Sequence, residues 1–230
     1  MNVRTTIVFS SLALIYLATL PLTPYVAQFL PKALPIVVLA VFAYTKLSAM
    51  PRYMVLTALL FSLAGDVSLA LPFADSFITG LACFFVAHLT YAMCFALLHR
   101  RLVETPGDHI ISRKPKWFIS IIMVSFAVMM AVHILPASKA LFYPVVAYIS
   151  VITLMGLTAV WLAQTKLIVT GALFFVISDA ILAQSVFKTP LPLSTFWVMT
   201  TYYGAQYCLT MGLVDGFLRK ENRQEEIGQT

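Results

Sequence analysis

Phe61-Ser62-Leu63-Ala64-Gly65-Asp66-Val67-Ser68-Leu69 and Phe174-Phe175-Val176-Ile177-Ser178-Asp179-Ala180-Ile181-Leu182 share one character: each sets a single carboxylate into a long apolar run. An aspartate at the centre of a membrane helix opposes insertion by about 2.5 to 3.5 kcal/mol, so an acid placed there marks a functional site by default. The runs lack the strict apolar–polar alternation of a barrel strand, and a helix satisfies its backbone polar groups within its own segment. The chain is therefore expected to be all-α, a polytopic membrane helical bundle, with Asp66 and Asp179 as its catalytic pair.

The rest of the sequence extends this reading. With 61% apolar and 10% charged residues in 230, and a mean hydropathy of +0.92, the chain has too little polar surface to coat a soluble globule. A window of ~20 residues gives apolar segments at about 5–22, 32–48, 53–71, 76–98, 117–135, 139–163, 166–187 and 192–217. These predict eight transmembrane helices in a single domain over residues 1–220, followed by a polar, frayed cytoplasmic tail at 221–230. The first segment has the length of a signal peptide but no small-x-small cleavage site before Pro21, Pro24 and Pro31, and is expected to be a retained span.

The net charge of +6 does not indicate nucleic acid, because the basic residues sit in short loops between apolar runs and not along one soluble face. They report orientation instead. With the N-terminus inside, only Lys32, Lys139 and Lys188 of the 15 Lys and Arg residues fall outside. That bias predicts both termini in the cytoplasm, in a bacterial inner membrane or an equivalent endomembrane. The largest hydrophilic loop, residues 100–116, carries mixed charge and Pro106-Gly107 and reads as a cytoplasmic turn. Cys83, Cys94 and Cys208 lie in apolar segments without CxxC or Cys/His spacing, which points to packing and not to a disulfide or zinc framework.

Superimposing the two acids exposes an internal repeat. They lie 113 positions apart, Phe61 aligns with Phe174 and Leu69 with Leu182. The third and seventh segments would run in one direction, giving a parallel repeat of four plus four helices about an axis along the membrane normal. Both acids are then expected at similar depth, roughly two turns from the ends of their helices.

The polar residues that remain inside apolar segments are few. Ser62 lies one turn before Asp66, and Gly65 lets a neighbour approach that acid closely. His88 and Tyr91 share a face of the fourth segment, and Tyr203 and Gln206 share a face of the last. Tyr148 follows Pro144 by one turn in the sixth. Each also has a plainer use. Asp66 could pair with Lys32 and only fix packing, His88 could be a satisfied core histidine, and Lys32 could snorkel. Tyr203 and Gln206 could be interhelical glue worth about 0.6 kcal/mol per pair. Trp117 and Trp197, near predicted boundaries, read as interfacial anchors.

Lys32-Ala33-Leu34-Pro35, Gly65-Asp66, Ala87-His88 with Tyr91, Ser178-Asp179 and Thr201-Tyr202-Tyr203 with Ala205-Gln206 resemble, in order, the motifs of the YhhN-like family, the lysoplasmalogenases. The family pattern usually has Pro where Ala33 stands. The resemblance implies a membrane hydrolase that cleaves the vinyl ether bond of lysoplasmalogens, releasing a fatty aldehyde and a glycerophospho-ethanolamine or -choline. It implies a lysophospholipid substrate among membrane lipids and no metal or organic cofactor. Vinyl ether hydrolysis protonates the β-carbon and captures the resulting oxocarbenium ion with water. Two carboxyl groups sharing one low-dielectric cavity could divide these tasks, with Lys32 and His88 toward the phosphate, Tyr203 and Gln206 at the glycerol hydroxyl or the water, and Tyr91 and Tyr148 as further substrate-binding candidates. The chain of the lipid would lie among Phe61, Phe84, Phe85, Phe174 and Phe175. The same paired acids would also serve a proton-coupled transporter or lipid carrier, and a zinc hydrolase would need more buried histidines than His88.

Overall fold

A computed structural model describes residues 3–25, 27–103, 113–163 and 165–228, and no strand occurs among them. The helices are α1 (Val3–Thr19), α2 (Phe29–Lys46), α3 (Ala49–Ala70), α4 (Ser76–Val103), α5 (Arg113–Ser138), α6 (Phe142–Thr158), α7 (Lys166–Phe187) and α8 (Ser194–Gly228). Tight 3-10 turns follow α1 at Leu20–Leu22 and join α5 to α6 at Lys139–Leu141. A π-helical turn, Ala159–Ala163, continues α6.

Among the described residues, six segments are long and apolar enough to cross a bilayer: Val3–Leu22, Phe29–Lys46, Ala49–Ala70, Ser76–Arg100, Pro115–Ala163 and Lys166–Phe187. The fifth holds both α5 and α6 in 49 residues. Large apolar side chains such as Leu14, Phe118, Ile121 and Val132 stand exposed around the bundle. In water that surface would be a liability; against hydrocarbon it costs nothing. The chain is an integral membrane protein.

Local chemistry explains where the helices begin and bend. Thr165 caps α7, its side chain accepting a hydrogen bond from Ile168 N, which satisfies one of the four free donors of a helix start. Pro35 and Pro136 lie inside α2 and α5. Proline removes one backbone donor, a loss that membrane helices absorb by local adjustment, and Pro136 is followed by the 3-10 turn at which the chain reverses into α6.

The most extensive helix pairs are α3 with α4 and α7 with α8. Both rest on glycine. A Cβ added at Gly65 would fall 2.7 Å from the Phe84 ring, and one at Gly171 would fall 2.9 Å from the backbone nitrogen of Leu209. Without an aqueous hydrophobic drive between helices, such close approach gives the contact area that holds them together.

Three expectations change. The tail does not fray at 221, because α8 runs on to Gly228; the polar sequence after Phe217 contains no proline and no glycine before Gly228, so nothing stops the helix. The acids are not equally far from their helix ends. Asp66 lies four residues before Ala70 and Asp179 eight before Phe187, about 6 and 12 Å at 1.5 Å per residue. Within the predicted 100–116 loop, α4 extends to Val103 and α5 starts at Arg113. Residues 104–112, with Pro106-Gly107, lie outside the described residues.

Candidate active site

The bundle collects the buried polar side chains into two clusters, each centred on one of the aspartates. Asp66, on α3, is 2% exposed. Lys32 of α2 places Nζ 3.2 Å from its Oδ1 and also donates to the backbone oxygen of Asp66 at 3.2 Å. Tyr202 of α8 donates its hydroxyl to Oδ2. Tyr203 donates to the backbone oxygen of Lys32 at 2.8 Å, tying α8 to α2. Both carboxylate oxygens are therefore occupied by protein donors, the condition under which a buried ion pair is tolerated.

Asp179, on α7, is built differently. Its Oδ2 accepts the hydroxyl of Tyr148 from α6 at 2.6 Å and lies 3.2 Å from His88 Nε2 of α4. His88 Nε2 and the Tyr148 hydroxyl are 3.1 Å apart, so three side chains from three helices form a closed triangle. The His88 ring is fully buried and packs edge-on to Phe175, with centroids 4.5 Å apart. Rings separate the two clusters: Phe175 also meets Tyr202 at 5.5 Å, and Phe84 meets Tyr202 at 5.9 Å.

A narrow cavity of about 80 Å³ opens beside the second cluster, between α4, α5, α6 and α7. Its walls are apolar except for Tyr148, Thr153 and Asp179. Of the eight site residues expected from sequence, Asp179 and Tyr148 touch it. Asp66 and Lys32 face each other instead, Tyr91 donates to Gln206 Oε1 at 2.6 Å, and Tyr203 serves α2.

The expectation that Asp66 and Asp179 look into one shared pocket is not met. The reason is local: Lys32 and Tyr202 claim both oxygens of Asp66, and the rings of Phe84, Phe175 and Tyr202 fill the space between. The aromatic set proposed for the lipid chain is corrected likewise. Phe84 lines the cavity, Phe175 is wholly buried, and Phe61 and Phe174 are each 37% exposed at the outside. Phe77, Phe126 and Phe187 take the expected place on its wall. Two elements were overlooked. Tyr202 sits in the quoted α8 motif beside Tyr203, and α5 contributes Met123, Ala127 and Met130, whose +4, +3 spacing is a helical stripe.

What this arrangement can do is offer an apolar surface to a ligand and bring a reactive group of that ligand against one carboxyl. That carboxyl is backed by an imidazole and a phenol within proton-transfer distance, the geometry of general acid–base catalysis.

Known proteins with related sequences give this chemistry a family. Human lysoplasmalogenase TMEM86B is 34% identical over 190 residues, 79% of this chain and 73% of the relative. Bovine lysoplasmalogenase TMEM86A is 28% identical over 171 residues, 70% of this chain and 65% of the relative. The pig TMEM86B lysoplasmalogenase is 31% identical over 160 residues, 68% and 61% of the two chains. No solved structure matches. The YhhN family model matches residues 27–213, from the start of α2 to within α8 and across both aspartate clusters, and the chain belongs to that family.

Proposed function

We propose that this protein is a membrane-embedded lysoplasmalogenase, hydrolysing the vinyl ether bond of a lysophospholipid to a fatty aldehyde and a glycerophospho-alcohol. Family membership and the relatives named above support the reaction class. One structural observation carries the site: Asp179, hydrogen-bonded by Tyr148 and His88, forms a polar spot on the wall of an otherwise apolar cavity. The apolar lining matches the hydrocarbon chain of a single-chain lipid in chemical character.

The geometry of Asp179, His88 and Tyr148 supports the following steps. The acid form of Asp179 gives its proton to the β-carbon of the vinyl ether, whose π pair becomes the new C–H bond. The adjacent carbon and oxygen share the positive charge as an oxocarbenium ion beside the newly formed carboxylate. Water adds to that carbon while Asp179, helped by His88, accepts its proton. The hemiacetal then breaks its C–O bond: Asp179 protonates the departing glycerol oxygen and takes up the proton of the hemiacetal hydroxyl, leaving aldehyde, the free hydroxyl of the glycerol and the acid form of Asp179. His88 and Tyr148 fix the carboxyl and share its proton.

Asp66 takes a different part here from the one its sequence context suggested. Paired with Lys32 and Tyr202, it locks α2, α3 and α8 and so shapes the wall behind the catalytic cluster. Lys32, with its charge engaged, is a structural cation, and Tyr91, Tyr203 and Gln206 belong to the same framework.

The architecture we infer is eight transmembrane helices in one domain, residues 1–220, arranged as a parallel four-plus-four repeat. The partners of the acids support it. Asp66 on α3 is met from α2 and α8, and Asp179 on α7 is met from α6 and α4, so moving four helices along the chain converts one set into the other. The basic residues support cytoplasmic termini and a cell inner membrane or equivalent endomembrane. The test is aldehyde release by purified protein in detergent from a lysoplasmalogen, with none from the saturated alkyl-ether analogue, which cannot be protonated at carbon.

A further inference from the structure

The two halves of the bundle treat their aspartates unequally, and the difference lies in one helix of each. Over the Asp66 cluster, α1 buries Phe9, Ala13 and Tyr16. Tyr16 packs edge-on to Tyr203 with centroids 6.0 Å apart, and Phe9 packs against Tyr203 at 6.2 Å and Tyr207 at 5.2 Å. Beside the Asp179 cluster, α5 presents Met123, Ala127 and Met130, which line the cavity. The two triplets have the same spacing, and each member of the second lies 114 positions after its counterpart, one more than the 113 that separate the acids. The α5 helix packs against α6 as α1 packs against α2, and Met123 Sδ would be 2.4 Å from a Cβ added at Gly156 of α6.

Where α1 brings two rings, α5 brings two thioether chains. Rings are rigid and fill volume, whereas methionine is unbranched and adapts to what lies beside it. The cavity that reaches Asp179 lies in the half with methionines, where Met123, Ala127 and Met130 line it.

We propose that Met123 and Met130 of α5 determine which hydrocarbon chains the cavity accepts, by occupying the place that the rings of Phe9 and Tyr16 fill in the other half. This rests on the lipid-hydrolase reading for the identity of the ligand, but the cavity it describes binds a chain whether or not the ether is cleaved. Met130 is half-buried and Met123 buried, both line the cavity together with Thr153, and Met123 packs against Gly156 of α6. A larger side chain at 130 fills the cavity, and a smaller one at either position lengthens or widens it. Because α1 already carries Phe and Tyr in this pattern, the fold has a packed precedent for rings at these positions.

The experiment uses full-length protein in detergent and a series of saturated 1-O-alkyl lysophospholipids of increasing chain length, which bind without turnover. Met130→Tyr is expected to weaken binding of every chain by roughly tenfold or more, the scale set by one overpacked side chain, with the melting temperature held near that of the wild type. Met123→Ala and Met130→Ala are expected to move the preferred length upward. Chain preference unchanged in both alanine variants would overturn the proposal even if Met130→Tyr failed to fold, as would a wild type that binds none of the series. If the wild type binds the series and the preference shifts as stated, yet no aldehyde forms from the vinyl ether substrate, the proposed reaction falls and the chain-selecting role stands.

Discussion

Replacing Asp66 by Asn removes the negative charge that faces Lys32 where water does not reach. The structure places this pair in the buried regime, because Asp66 is 2% and Lys32 8% exposed and the Nζ–Oδ1 separation is 3.2 Å. A surface pair would contribute under 1 kcal/mol. Breaking a buried pair by deleting one partner costs about 3–5 kcal/mol, most of it the isolated charge that remains. The amide oxygen of Asn can still accept from Tyr202, and Lys32 keeps the backbone oxygen of residue 66, so the loss should fall at the low end of that range. At about 2–4 °C per kcal/mol for a chain of this size, Asp66→Asn should melt roughly 6–12 °C below the wild type in detergent. Adding Lys32→Met removes the stranded charge, and the double variant should recover most of that loss, since apolar replacement of a whole buried pair is often neutral or better. Thermal unfolding of the three proteins, with aldehyde release measured on each that remains folded, separates a structural pair from a catalytic acid. Asp66→Asn that melts like the wild type but has no activity would refute the division of labour between the two acids.

Tyr148→Phe keeps the ring and loses the hydroxyl that donates to Asp179 at 2.6 Å; a hydrogen bond to a charged group is worth about 1.5–3 kcal/mol, so turnover should drop roughly ten- to a hundredfold and the melting temperature should fall by several degrees at about 2–4 °C per kcal/mol. His88→Ala removes the second partner of Asp179 and opens a hole beside Phe175, so steady-state kinetics should show a larger fall in kcat than in substrate affinity, accompanied by lower stability. Gly171→Ala pushes a methyl group 2.9 Å from the Leu209 backbone nitrogen, which cannot move aside as a side chain can; unfolding should register about 1–3 kcal/mol of destabilisation. Thr165→Ala deletes the cap that accepts from Ile168 N, and about 1 kcal/mol of stability should go with it.

Most helix positions were legible because proline and charged residues bracket the apolar runs, and the observed ends of α2, α3, α4 and α7 lie within a few residues of those read from composition. The partition of polar residues was not. Helical period assigns a side chain to a face of its own helix, but not to the neighbour that face will meet. Asp66 and Asp179 sit in nearly the same sequence frame, yet one meets an ammonium and a phenol and the other an imidazole and a phenol, because α2 carries Lys32 and α4 carries His88 at the contact. Tyr202 and Tyr203 are adjacent and about 100° apart around α8. Which of them reaches the acid depends on the rotation of α8, which the sequence does not state; it is Tyr202 that donates to Asp66, while Tyr203 donates to the backbone of Lys32. The cavity was hidden for another reason. Methionine and alanine at +4, +3 spacing along α5 look like ordinary packing, and only the cavity they line shows that they leave space.

The central claim is that Asp179 is the proton donor at the cavity. It is tested most directly by Asp179→Asn, purified in detergent and shown by its melting curve to be folded, given a lysoplasmalogen and assayed for aldehyde. Loss of one acid–base group predicts a rate lower by about 10²- to 10⁴-fold, with binding of the saturated alkyl analogue retained. Release of aldehyde by this variant at the wild-type rate would contradict the account.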